Sequence, residues 1–293
     1  MLEAVPNVSE GRKAAAIEEI GRAFASRAGL LDVHADADHH RSVFTLAAFP
    51  DPLVESLITG IARALELVDL RAHDGVHPRV GAVDVVPLVP IVPSELAAAE
   101  AAARAVAERV GEELQVPVFL YGTVGGGKRP AFFRSGGLAE LERRVIAGEL
   151  RADAGPSRID PRSGAVLVGA RRPLVAYNVE LAAADVSVAR AIAAAIRESG
   201  GGMPGVQAIG LELPRSGRIQ VSMNVLDLER APLHEVVKRV RQEAASRGAE
   251  VVDGELVGLV PERVWADAAA AGVSIPGVSE SRVLEQALGR SAF

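Results

Sequence analysis

The sequence predicts an α+β fold made of two tandem ferredoxin-like (βαββαβ) subdomains, residues 1–172 and 173–293, with a ligand cleft between them. Two observations lead there. Stretches of strand and helix periodicity follow one another in the order β-α-β-β-α-β, and the second half repeats that order without repeating the residues. The chain of 293 residues, 49% hydrophobic and 24% charged, is long enough for two modest domains and too apolar for a disordered protein. Aromatics supply only 3% of the residues, so aliphatic side chains and alanine must fill the interior.

In the first half, residues 2–8 read as a short strand. Ser9 is a candidate cap for a helix carrying Ile17, Ile20 and Phe24 on one face. Residues 30–33 and 42–49 read as strands joined by a turn within 36–38. Asp51-Pro52 opens a helix whose buried stripe is Leu53, Leu57, Ile61, Leu65 and Val68, and residues 83–89 return as a strand. A helix over 93–114 and a strand over 116–121 extend this unit. After a seam near Arg171-Arg172-Pro173, residues 174–179 form a strand and Asp185 caps a helix holding Val188, Ile192 and Ile196. Residues 206–213 and 218–226 make a hairpin about Ser216-Gly217, Pro232 opens a helix, and 249–260 close the unit as a strand. The tail from 261 onward reads as helices packed on the second half.

Composition narrows the chemistry. A net charge of −6 and only three lysines, Lys13, Lys128 and Lys238, argue against a nucleic-acid partner. The absence of cysteine removes disulfides, thiolate nucleophiles and sulfur-ligated metals. The N-terminus lacks a basic segment followed by an apolar stretch, and no apolar run is long enough to span a bilayer, so no membrane partner and a cytoplasmic location are expected. The glycine-rich stretch 121–129 lacks the spacing of a phosphate loop; it reads as a flexible loop with Lys128, Arg129 and Arg134 as possible anion contacts.

Two polar runs carry candidate chemistry. In 73–84, Gly75 and Gly81 allow tight backbone paths, Pro78 biases His77 toward an extended conformation, and Arg79 offers a planar fork for a carboxylate or phosphate. Such a loop can aim an imidazole, although a solvated connection has the same composition. In 34–41, His34, Asp36, Asp38 and His40 would share a face on an extended strand and could hold zinc or a similar ion. A turn within this segment would scatter them, leaving a solvated turn or a polar substrate pocket. Asn7 and Asn178 are further polar candidates near strand ends, with capping of neighbouring backbone groups as the alternative.

Six ordered segments then carry a resemblance over nearly the whole chain: Val5-Pro6-Asn7-Val8-Ser9-Glu10-Gly11, His39-His40-Arg41-Ser42-Val43-Phe44-Thr45, His77-Pro78-Arg79-Val80-Gly81-Ala82-Val83-Asp84, Pro117-Val118-Phe119-Leu120-Tyr121-Gly122, Ala176-Tyr177-Asn178-Val179 and Leu256-Val257-Gly258-Leu259-Val260-Pro261. They resemble the formiminotransferase domain of the formimidoyltransferase-cyclodeaminase family. The resemblance implies two ferredoxin-like subdomains, a homodimer, and a folate tunnel between the halves. It implies transfer of the formimino group from N-formimino-L-glutamate to N5 of tetrahydrofolate, within histidine degradation and one-carbon metabolism, with tetrahydrofolate as co-substrate and no metal.

His77 aligns with the catalytic histidine of that family, whose imidazole suits a proton shuttle. Asp36 or Asp84 could orient such a ring, and Arg41, Arg79 and Arg171, with Asn7, His40 and Asn178, are the substrate-binding candidates. The resemblance puts folate contacts on Gly155, Pro156, Ser157, Arg158, Ile159, Asp160 and Pro161, a stretch that by itself reads as a Gly-Pro turn. Bifunctional relatives continue into a cyclodeaminase domain, so ammonia release is expected from a separate protein. Three alternatives stay open: a related formimino- or formyl-transferase with another donor, a non-catalytic folate-binding protein, and a metal-dependent hydrolase using His34, Asp36 and His40.

Overall fold

The computed structural model describes residues 1–76, 78–182 and 185–290, and its fold is mixed α+β with two separate sheets. The chain divides into two compact units, the first ending at Arg172 and the second beginning at Pro173.

The first unit runs β1 (Leu2–Ala4), β2 (Asn7–Val8), α1 (Ala14–Phe24), β3 (Gly29–Asp36), β4 (Arg41–Ala48), α2 (Pro50–Leu67), β5 (Val83–Pro90), α3 (Leu96–Glu113), β6 (Val118–Gly122), α4 (Pro130–Arg134), α5 (Gly137–Ile146) and β7 (Val166–Ala170). The expected first strand is two short ones. Pro6 has no N–H to donate, but its carbonyl accepts from Phe44 N at 3.0 Å, so the path continues across the break. Both pieces lie between β4 and β5, antiparallel to each, with β3 beyond β4. β7 and then β6 add in parallel beyond β5.

The Ser9 cap is corrected: α1 starts at Ala14, and Ser9 Oγ instead donates to Gly81 O at 2.8 Å. Leu53, Leu57 and Ile61 of α2 and Ala99, Ala103, Val106 and Val110 of α3 pack with Ile20 and Phe24 on one sheet face. No helix or strand was expected between residue 129 and the seam, where the structure has α4, α5 and β7. Phe133 and Leu141 from these helices cover Phe119, Tyr121 and Leu167 on the opposite face, so this edge is buried on both sides and β7 is apolar throughout.

The second unit runs β8 (Val175–Ala182), α6 (Val186–Ile196), β9 (Val206–Glu212), β10 (Ile219–Val225), α7 (Leu233–Ala245), β11 (Glu250–Val257), α8 (Glu262–Ala270) and α9 (Leu284–Arg290). Its strands are antiparallel in the order β11-β8-β10-β9. Asp185 caps α6, its carboxylate accepting from Ser187 N at 2.6 Å. Val175, Tyr177 and Val179 of β8 and Val221, Met223 and Val225 of β10 form one core with α6, α7 and the tail residues Val264, Ala268 and Val283. The alternate residues, among them Asn178, Glu180, Gln220, Ser222 and Glu255, therefore project from the other face of this sheet. No helix among the described residues is long and apolar enough to cross a membrane.

Candidate active site

His77 lies outside the described residues, but the chain on both sides of it is held by identifiable contacts. A Cβ at Gly75 would sit 2.2 Å from His39 O, so only glycine permits this approach to the β3–β4 turn. Val76 N donates to Asp38 O at 3.3 Å. Arg79 donates to the Gly75 carbonyl, and Val80 N donates to Asp84 Oδ1 at 2.7 Å. Asp84 is 3% exposed on β5, and its second oxygen pairs with Arg134 of α4. A Cβ at Gly81 would lie 2.0 Å from Ala165 O, which fixes the entry to β5 against the approach to β7.

The neighbouring turn centres on His40, whose backbone takes the left-handed conformation at φ 49°. That conformation is unfavourable for a residue with a Cβ and persists where surrounding contacts determine it. Here the ring is clamped on both nitrogens, Nε2 3.3 Å from Glu10 and Nδ1 3.2 Å from Asp74, and it stacks on His73 with centroids 4.1 Å apart. Arg12 completes the network, pairing with Asp74 and donating from Nε to Ala37 O at 2.9 Å. It thus bridges two loops.

The charges in this cluster are tuned by their surroundings. Burial pushes the Glu10 carboxyl up, yet the N–H groups of Lys13 and Arg12 and the nearby His40 outweigh it and hold Glu10 below its usual range. The Arg12 hydrogen bond likewise holds Asp74 low. Burial depresses the Arg79 guanidinium, opposed by Asp84 and Asp74. His73 is pulled down to about 4, chiefly by burial. Its Nε2 lies 2.7 Å from His40 O and its Nδ1 accepts from Gly75 N at 3.2 Å, which fixes the neutral tautomer with the proton on Nε2.

This sets a pH dependence. Between about 6.5 and about 4 the unfolded chain protonates His73 while the folded chain does not, so stability is complete above 6.5 and falls as pH falls through that window. Replacing His73 by Gln should flatten the urea midpoint against pH over this interval. An unchanged slope would assign the acid sensitivity elsewhere.

The remaining sequence candidates are dispersed. Asn7 donates to its neighbour Val5 O at 2.9 Å, a local backbone cap. Asp36 accepts from His39 N at 2.6 Å within the turn, and Arg41 stands opposite it in the β3–β4 register. His34, Asp36 and His40 do not converge, and no group of three His, Asp or Glu is arranged for a metal among the described residues. Arg171 follows β7, near Tyr121 and Glu3; burial pulls its guanidinium down, and burial raises the Tyr121 phenol to about 12. Asn178 belongs to the second unit, where it donates to Glu255 at 2.9 Å.

Of the folate candidates, Ile159 is buried in the first unit's core, and Asp160 accepts from Arg162 N at 2.9 Å. Gly155 takes φ 80°, Pro156 is half-buried, and Ser157, Arg158 and Pro161 are exposed. Lys128 and Arg129 line a surface cleft with Phe132, Arg143 and Arg144, whereas Arg134 turns inward to Asp84. Glu10, His73 and Asp74 were not singled out from sequence, because their partners lie tens of residues away.

Comparison with known proteins bears on this arrangement. Residues 1–171 match the N-terminal subdomain of the formiminotransferase domain, and residues 176–275 match the formiminotransferase domain. A glutamate formimidoyltransferase of Thermoplasma acidophilum is 36% identical over 100% of this chain and 98% of its own length. One from Streptococcus pyogenes serotype M1 is 36% identical over 92% of each chain. The formimidoyltransferase-cyclodeaminase of Gallus gallus is 40% identical over 92% of this chain, which spans only 52% of that longer protein. With both halves matched and the identity sustained end to end, the chain belongs to the formiminotransferase family.

Proposed function

We propose that this chain transfers the formimino group from N-formimino-L-glutamate to N5 of tetrahydrofolate, releasing glutamate and 5-formiminotetrahydrofolate. The observation that carries the reading is the end-to-end match to glutamate formimidoyltransferases, combined with the anchoring of residues 73–76 and 79–84 on either side of His77. In the proposed reaction N5 attacks the amidine carbon and forms a tetrahedral centre. His77 accepts the N5 proton and delivers it to the glutamate nitrogen, whose bond to carbon then breaks. One imidazole serves both transfers, since the proton gained equals the proton given.

Arg41, Arg79 and Arg171 supply positive charge for the glutamyl and folate carboxylates, with Asn7, His40 and Asn178 as further polar contacts. Asp36 and Asp84 act by positioning, since their oxygens are engaged with His39 N and with Val80 N and Arg134. Residues 155–161 contact folate. The strand orders β3-β4-β1/β2-β5 and β9-β10-β8-β11 support reading each unit as ferredoxin-like.

The proposal includes a cytoplasmic homodimer in histidine degradation. Sedimentation equilibrium should give about twice 30.5 kDa, and a species of 30.5 kDa at all concentrations would refute the dimer. The functional test is turnover with formiminoglutamate and tetrahydrofolate, followed through acid conversion of the product to its methenyl form. Formiminoglycine and formylglutamate serve as competing donors. Preference for formiminoglutamate is expected; higher kcat/KM with another donor would reassign the substrate.

A further inference from the structure

Gln220 lies in the middle of the second unit's sheet, on β10, and projects from the face opposite the α6/α7 core. It is fully buried, yet neither Oε1 nor Nε2 has a hydrogen-bond partner. Its cross-strand neighbours explain why: Leu211 on β9 has no polar side-chain atom, and Glu180 on β8 is paired with Arg218. Leaving a carboxamide buried and unpaired costs about 1–3 kcal/mol for each group, so an apolar side chain of the same shape would serve the fold better. A buried, unpaired group in a native protein calls for an explanation, and a bound ligand that pairs with it is one.

A carboxamide presents an acceptor beside a donor, the complement of a lactam edge with N–H next to C=O. Glutamine reads adenine through the same kind of two-point pairing. Of the two reactants, formiminoglutamate offers acceptor-only carboxylates and a donor-only amidinium, whereas the pterin ring of tetrahydrofolate carries the lactam pair at N3–H and C4=O. We propose that Gln220 is a specificity-determining residue that reads this pterin edge, an inference that rests on the function proposed above. On binding, the carboxamide turns toward Ser222 and Asn224, half-buried and exposed on the same face, and exchanges two unpaired atoms for two hydrogen bonds.

The test uses the native chain with Gln220→Met, closest in shape, and Gln220→Leu as a second apolar variant. Two unreactive probes are titrated calorimetrically: 5-formyltetrahydrofolate, which carries the pterin, and p-aminobenzoylglutamate, which lacks it. Either variant should melt at or above the native temperature, bind 5-formyltetrahydrofolate about tenfold or more weakly, and bind p-aminobenzoylglutamate unchanged. Native affinity for 5-formyltetrahydrofolate in the variants overturns the inference while leaving the transferase reading intact. So does a parallel loss for both probes with a lowered melting temperature, which would mark a structural role. A native chain that binds neither probe and turns nothing over removes the function reading and this inference together.

Discussion

Replacing His77 by Ala is expected to lower kcat by about 10²–10⁴-fold, the usual contribution of a positioned general acid and base, while the dissociation constant for tetrahydrofolate changes less than threefold. The asymmetry follows from the proposed role: the imidazole moves protons while the amidine carbon changes partners, and folate is gripped elsewhere. Pre-steady-state mixing of native and variant protein with both substrates separates chemistry from binding and product release. Equal single-turnover rates would remove His77 from the mechanism. Loss confined to KM would make it a binding residue.

The second large effect concerns stability. Asp84→Ala should destabilise the first unit by about 3 kcal/mol or more, because it removes a buried carboxylate and strips the half-buried Arg134 of its partner. Asp84 is 3% exposed, and Arg134 packs against it with its Nε already lacking a hydrogen-bond partner. Val80 N would also lose its acceptor at 2.7 Å. For a unit of this size the melting temperature should fall by roughly 6–20 °C. Removing both charges together, Asp84→Leu with Arg134→Met, should recover part of the loss, since no charge is then left without its partner while Val80 N still lacks its acceptor. A single variant that melts within 2 °C of the native chain, by about the resolution such a shift demands, would show that the pair is neither tight nor dry.

What could be read from the sequence follows a physical division. Elements whose own residues carry their periodicity were legible: α2 through Leu53, Leu57 and Ile61, α6 through Asp185 and its apolar face, and the β9–β10 hairpin through Gly217 at φ 69°. Elements whose burial depends on distant partners were not. α5 is the exception: Leu138, Leu141 and Val145 recur at helical spacing and pack into one core, so its stripe was readable and was missed. Ser9 looked like a cap because nothing nearby announces that its hydroxyl bonds Gly81, 72 residues on.

The same division holds in the site. The glycines, proline and arginine of 73–84 advertised a constrained polar loop. The clamp on His40 did not show, since Glu10 and Asp74 meet it only after β4 pairs with β2 and β3. His34, Asp36 and His40 suggested a ligand set only on the assumption of an unbroken strand, and β3 ends at Asp36. Arg134 was visible as a cation in a basic stretch, but not as the partner of an aspartate 50 residues earlier.

Transfer, as opposed to hydrolysis or simple binding, is the central claim, and one labelled-carbon experiment addresses it directly. N-formimino-L-glutamate carrying ¹³C at the amidine carbon is incubated with the native protein and tetrahydrofolate, and the label is followed by NMR. The account predicts that the label moves onto N5 of the folate in one-to-one ratio with free glutamate, and that nothing is released when folate is withheld. Label appearing as formamide or formate, with or without folate, would contradict it.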